Sequence, residues 1–174
     1  MGKLTVTEEN AKPQTPSPGN RSLYPKADGW YELNDQGTER LVFALPVFGQ
    51  NFNEAHNDVQ ATSTDGNNYQ THTSLTTGSL DAGIKIRIGI TMAWNMSTAG
   101  RNFEAELTIG GAVANTMAME TKDTGADIRN WVTSFFYMTV PSTGPLVMEL
   151  NYGPQNNGDT ATIFYSGIEC WRVE

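Results

Sequence analysis

Residues 84–94 read Ile-Lys-Ile-Arg-Ile-Gly-Ile-Thr-Met-Ala-Trp, with a large apolar side chain at every even position and a charged, polar or small one at every odd position. Successive side chains of a strand point to opposite faces, so a period of two describes a β-strand with one face in a core. The segment Phe103-Glu104-Ala105-Glu106-Leu107-Thr108-Ile109 repeats the alternation after a polar loop, residues 95–102. The two segments are expected to pair antiparallel as one long strand pair. Further strands are expected at residues 69–76, 112–120, 131–140, 146–152 and 160–173, each bounded by clusters of Gly, Pro, Asn or Asp. No window carries helical periodicity. Strands recurring at such intervals predict an all-β fold, an antiparallel jelly-roll sandwich that manages its edges by packing two sheets together.

The chain divides into three parts. Residues 1–20 are polar, and Pro13, Pro16 and Pro18 alternate with small polar residues, which favours an extended arm over packed structure. Residues 21–42 carry two short apolar runs separated by Asp28-Gly29 and followed by Asp35-Gln36-Gly37, expected to form a small β-hairpin clasp. Residues 43–174 supply the jelly-roll domain, and 174 residues in all are enough to bury a core without staples.

Lys and Arg number 11 against 19 Asp and Glu, a net charge of -8 that opposes approach to a phosphate backbone, so no nucleic-acid partner is expected. The single cysteine, Cys170, cannot close an intrachain disulfide, which fits assembly in a reducing cytoplasm. The first residues lack the apolar run of a signal peptide, and no segment approaches the ~20 apolar residues that span a bilayer, so no membrane partner is expected.

Residues 131–140 are apolar on both alternation sets: Trp131, Phe135 and Tyr137 on one, Val132, Phe136 and Met138 on the other. A strand apolar on both faces needs cover on both. A subunit contact is expected to provide the second cover; the alternative is the chain's own segment 44–66. Of the tryptophans, Trp94 falls in the inward register of its strand and is expected in the core. Trp171 alternates with Ile163, Tyr165 and Val173 and is also expected in the core, unless a bulge near Gly167 changes its register. Trp30, in the clasp, is expected at an interface.

Motifs for chemistry are sparse. His56 and His72 have no second histidine or cysteine at metal-ligand spacing; His72 is expected in a structural or exposed position on a strand and His56 in a loop. Glu104 and Glu106 share one face of a strand, where two carboxylates are ordinarily solvated rather than catalytic. Residues 121–127 and 156–159 offer oxygen ligands of the kind calcium accepts, without EF-hand spacing, and turn chemistry accounts for the same residues. No enzyme activity and no cofactor are expected.

Leu23-Tyr24, Lys26-Ala27-Asp28-Gly29 and Tyr31, followed by Gly37-Thr38-Glu39, resemble a short segment of structural proteins of tailed bacteriophages, above all fibre and appendage proteins, where it precedes a distal β domain. Residues 93–95 leading to 100–103, residues 123–129, and residues 157–163 before 169–173 are similar to the β-sandwich domains of the same kind of protein. The resemblance implies a homotrimer of tumour-necrosis-factor-like jelly rolls on the virion surface, assembled in the cytoplasm of a host bacterium. Its partners are then its own copies and the major capsid protein or another virion protein.

With only about 40 residues ahead of the sandwich, the chain suits a capsid-decorating or head-fibre protein better than a long fibre. Trp131, Phe135, Tyr137, Phe136, Met138 and Trp30 are the expected trimer contacts, and Pro13, Pro16, Pro18, Leu23 and Tyr24 the expected virion anchor. A different class of reading is a receptor-binding tip that recognises host surface glycan through the loops 95–102 and 121–130. A depolymerase using Glu104 and Glu106 is the third.

Overall fold

A computed structural model of the chain describes residues 13–26, 29–44, 52–125 and 128–173. Among these residues there is no helix, and twelve strands form three antiparallel sheets. The clasp holds β1 (Arg21–Lys26), β2 (Gly29–Asn34) and β3 (Glu39–Ala44) in the order β1-β2-β3. The expected hairpin is thus a three-stranded meander. Its β2–β3 turn closes where Gly37, at φ 76°, donates to Asn34 O while Asn34 Oδ1 accepts from Gln36 N and Thr38 N.

The remaining strands are β4 (Phe52–Asn57), β5 (Ala61–Ser63), β6 (Gln70–Thr76), β7 (Lys85–Met96), β8 (Asn102–Ile109), β9 (Ala112–Glu120), β10 (Asn130–Thr139), β11 (Val147–Pro154) and β12 (Ala161–Arg172). One sheet runs β10-β7-β12-β4, with β5 added beside β12, and the other runs β6-β11-β8-β9. The antiparallel pairs nest in sequence: β8 with β9, β7 with β10, β6 with β11, β4 with β12. That is one long hairpin rolled into two facing sheets, and it defines an antiparallel jelly roll.

The expected pairing of residues 84–94 with 103–109 does not form. β7 lies between β10 and β12, whereas β8 lies between β9 and β11 in the opposite sheet. Alternation reports that a strand has one buried face, and two strands facing each other across a core satisfy it as well as two neighbours in a sheet.

Ile86, Ile88, Ile90, Met92 and Trp94 of β7 meet Phe103, Ala105 and Leu107 of β8 and Met148, Leu150 and Tyr152 of β11 in a single core. Burying side chains of this size stabilises by ~1.5–3 kcal/mol each. An aromatic series runs through the core: Trp94 stacks on Phe103 at 5.0 Å, Phe103 on Tyr152 at 5.9 Å, and His72 meets Tyr152 edge-on at 5.9 Å. His72 is buried, with Nδ1 2.6 Å from Ser166 Oγ and Nε2 2.8 Å from Val59 O, so it joins β6 to β12 across the two sheets. Cys170 is buried too, and its thiol is pushed up to about 11 by desolvation, which leaves it protonated and unreactive at neutral pH.

Candidate interaction face

The outer face of the β10-β7-β12-β4 sheet is set by register. Four rows cross it: Trp131–Ala93–Tyr165; Thr133–Thr91–Gly167–His56; Phe135–Gly89–Glu169–Glu54; and Tyr137–Arg87–Trp171–Phe52. Trp131 and Tyr165 stand at one end of the grid, Tyr137, Trp171 and Phe52 at the other, and Gly89, Thr91 and Gly167 near its centre. Ala93 faces outward yet is fully buried, because the rings of its two cross-strand partners, Trp131 and Tyr165, meet over it at 5.9 Å. Tyr165 also lies across Gly167, where an added Cβ would sit 3.0 Å from the phenol oxygen, and stacks on His56 at 6.4 Å. At the other end Phe52 and Trp171 pack at 4.2 Å, and Trp171 Nε1 donates to Glu169 Oε2 at 3.2 Å.

The β10 contribution is the most exposed. Trp131, Phe135 and Tyr137 stand 62%, 56% and 60% exposed, with Phe135 edge-on to Tyr137 at 6.0 Å and the Arg87 guanidinium 4.9 Å from the Phe135 ring centroid. Among the described residues β10 pairs only with β7, so its other edge offers unused ladder groups beside those rings. Glu54 and Glu169 are direct cross-strand partners in the same grid, a like-charge pair that costs a few tenths of a kcal/mol to ~1 kcal/mol when nothing opposes it.

The six expected trimer contacts divide on this geometry. Trp131, Phe135 and Tyr137 form the exposed row along β10; Phe136 and Met138 point inward with Val132 and pack against the core, so they are not part of the outer face. Trp30 is half-buried in the clasp, opposite Pro25 on β1. The described part of the segment 44–66 forms β4 and β5 at the far side of the sheet from β10 and gives β10 no cover.

Trp171 is a correction to the expected core register. An extra residue in β12 between Ile163 and Tyr165 shifts the pairing with β7, so Ile168 and Cys170 turn inward and Trp171 outward. His56 is a second correction: it stands on β4, not in a loop. Neither Tyr165, Phe52 nor Trp171 could be placed on this face from sequence, because bulge and pairing partner decide it.

The expected anchor residues also separate. Pro13 to Pro18 run beside the clasp turn, with Gly19 N donating to Asp35 Oδ2 at 2.7 Å, and residues 1–12 lie outside the described residues. Leu23 is 61% exposed. Tyr24 is buried inside the clasp instead, its hydroxyl bonded to Glu39, its ring 6.2 Å from Tyr31, and Lys26 Nζ 4.4 Å from the Tyr31 centroid.

The outer face of the β6-β11-β8-β9 sheet is mainly polar, with Val113 and Val147 as exposed apolar side chains on it. Glu104 accepts from the Tyr69 hydroxyl, Glu106 stands opposite Asn151, and Glu149 opposite Thr108. Tyr69 packs over Gly153, where a Cβ would meet the ring at 2.6 Å. Burial, and then the bond to Glu104, raise the Tyr69 phenol above its ordinary value. At the turn 156–159, Asp159 pairs with Arg101 at 3.5 Å and Asn157 Oδ1 accepts from Gly66 N at 2.7 Å, so these two of the candidate calcium ligands have protein partners. No group of three or more metal-ligating side chains occurs among the described residues.

No protein-family model matches the sequence, and no curated protein matches it. Solved structures similar to the chain include Eiger TNF from S. frugiperda, at 12% identity and TM-score 0.48, covering 72% of this chain and 94% of that one. A structure of infectious bursal disease virus, Gt strain, is similar at 13% identity and TM-score 0.47, covering 87% of this chain and 42% of that one. A CBM36 domain of a xylanase from the hindgut metagenome of Trinervitermes trinervoides is similar at 15% identity and TM-score 0.34, covering 67% and 96%. The chain therefore spans less than half of the viral protein it is similar to. The jelly-roll assignment stands on the chain's own strand order.

Proposed function

We propose that the chain is a non-enzymatic structural protein of a virus particle, a homotrimeric capsid-decorating or head-fibre protein of a tailed phage, held to the particle by its N-terminal arm. The observation that carries the self-association is the row Trp131, Phe135 and Tyr137, each more than half exposed on an edge strand of the sandwich. Large exposed apolar patches mark interaction surfaces, and full burial of each such ring stabilises by about 1.5–3 kcal/mol. A closed symmetric ring of copies hides the same patch on every protomer. The net charge of -8 keeps finished assemblies soluble. The number three and the virion location follow from the resemblance of the clasp and sandwich to phage appendage proteins, and the spacing of Pro13, Pro16 and Pro18 among small polar residues suits an arm.

Sedimentation equilibrium at micromolar concentration tests the assembly, with three times 19.0 kDa as the expected mass. Deleting residues 2–19 is expected to abolish co-sedimentation with emptied particles while leaving that mass otherwise intact. A lone 19.0 kDa species that binds neither shell nor tail ends the proposal.

A second reading, a receptor-binding tip for host surface glycan, is favoured by a cavity of about 380 Å³ where the two polar loops meet. A glycan array probed with the intact protein tests it.

A further inference from the structure

At that cavity we infer a binding site for an acidic saccharide, a sugar ring carrying a carboxylate; the inference rests on the glycan reading and deepens it by naming the ligand class and the residues. Three contacts bring the loops together: Gly100 N donates to Thr121 O at 2.7 Å, Thr121 N to Arg101 O at 3.0 Å, and Asn95 Nδ2 to Gly125 O at 3.0 Å. Asn95 Oδ1 in turn accepts from Met96 N at 2.8 Å, so both ends of this buried amide are engaged and the wall it forms is set before any ligand arrives. The volume falls in the ~300–1,000 Å³ range of small-ligand sites.

The bulge of β12 supplies the platform. Ile163 pairs with Trp94 and Tyr165 with Ala93, which leaves Phe164 without a partner on β7, and a bulge re-aims the side chain of its extra residue. Phe164 lines the cavity together with Gln60, Thr124 and Thr162. An aromatic face beside amide and hydroxyl groups matches a sugar, which presents C–H faces and a rim of hydroxyls.

The charge of the ligand follows from Arg129. Arg129 stands beside the lining rather than in it: its guanidinium carbon sits 4.8 Å from the ring centroid of the lining residue Phe164, the residue is exposed, and among the described residues it has no carboxylate partner. A guanidinium fork binds a carboxylate through two parallel hydrogen bonds. The chain's net charge of -8 does not oppose this, since charges more than ~8 Å away are largely screened at physiological ionic strength whereas Arg129 acts at contact.

Titration calorimetry of the intact protein with D-glucuronic acid, N-acetylneuraminic acid and D-glucose tests the site. Glucuronic acid and N-acetylneuraminic acid separate two sources of the same carboxylate chemistry, and binding of either supports the proposal when Arg129→Gln weakens it about tenfold or more, the loss expected for a charge-assisted hydrogen bond. Phe164→Leu, which keeps an apolar side chain in the bulge, is expected to weaken both acids as well. Glucose binding as tightly as the acids, or acid binding that survives Arg129→Gln undiminished, overturns the acidic class and leaves the glycan reading standing. No saccharide bound here and none on the array overturns both.

Discussion

The two sheets of the sandwich line one core with the same kinds of residue but turn different surfaces outward. The β6-β11-β8-β9 sheet shows mainly Glu104, Glu106, Glu149 and Asn151, polar groups that water and neighbouring hydroxyls satisfy, with Val113 and Val147 its exposed large apolar side chains. The β10-β7-β12-β4 sheet shows Trp131, Phe135, Tyr137, Tyr165, Trp171 and Phe52 around Gly89, Gly167 and Ala93. Both carry close backbone approaches, of Tyr69 over Gly153 and Tyr165 over Gly167, so the contrast is one of chemistry and not of flatness. A face that is stable against water needs no partner; a face built of half-exposed rings gains free energy from one.

The comparison breaks most readily if charge is placed on each face in turn. Phe135→Asp is expected to convert the proposed assembly to the 19.0 kDa protomer in sedimentation velocity, whereas Thr108→Asp, on the polar face, is expected to leave its mass unchanged. Next in size is the contrast within β10 itself. Phe136→Ala removes an inward ring and is expected to destabilise folding by about 3 kcal/mol in urea titration, while Phe135→Ala, one residue away, is expected to shift the unfolding of the dissociated protomer by less than about 0.5 kcal/mol.

A smaller effect belongs to the polar face. The Tyr69 phenol is raised above its unfolded value of 10.0, so the stability tied to its neutral form is fully present below about pH 10 and is lost as pH rises further. Thermal melts of the wild type are expected to drop above pH 10 more steeply than those of Tyr69→Phe. The smallest effect sharpens the aromatic face: Glu54→Gln relieves the pair with Glu169 and is expected to stabilise the protomer by about 0.5 kcal/mol, read as a small rise in Tm.

Much of this was legible beforehand in the strands that keep strict alternation. β7 and β8 show inward and outward sets in the register their sequences predict, and Trp94 is in the core. β10 kept its two apolar faces, and the exposed set is the odd-numbered one. The polar strand β4, Phe52–Asn57, gave no such signal: its inward side chains include Asn53 and Asn57, which bond Gly78 N and His72 O, so hydrogen bonds replace the apolar stripe. The cavity residues Gln60 and Phe164, and Arg129 over the Phe164 ring, were invisible for another reason, since a bulge and two separate loops have to meet before they are neighbours.

What the sequence determined by itself is the β class, the position of most strands and the side of each regular strand that enters the core, because side-chain alternation is a local property of extended backbone and hydrophobic burial selects one side. Which strands become neighbours, which way Trp171 points past the bulge, and the gathering of rings from β4, β10 and β12 onto one face were decided by the tertiary structure. Those outcomes depend on loop paths and on an inserted residue's shift of register, and the period of two carries no record of either.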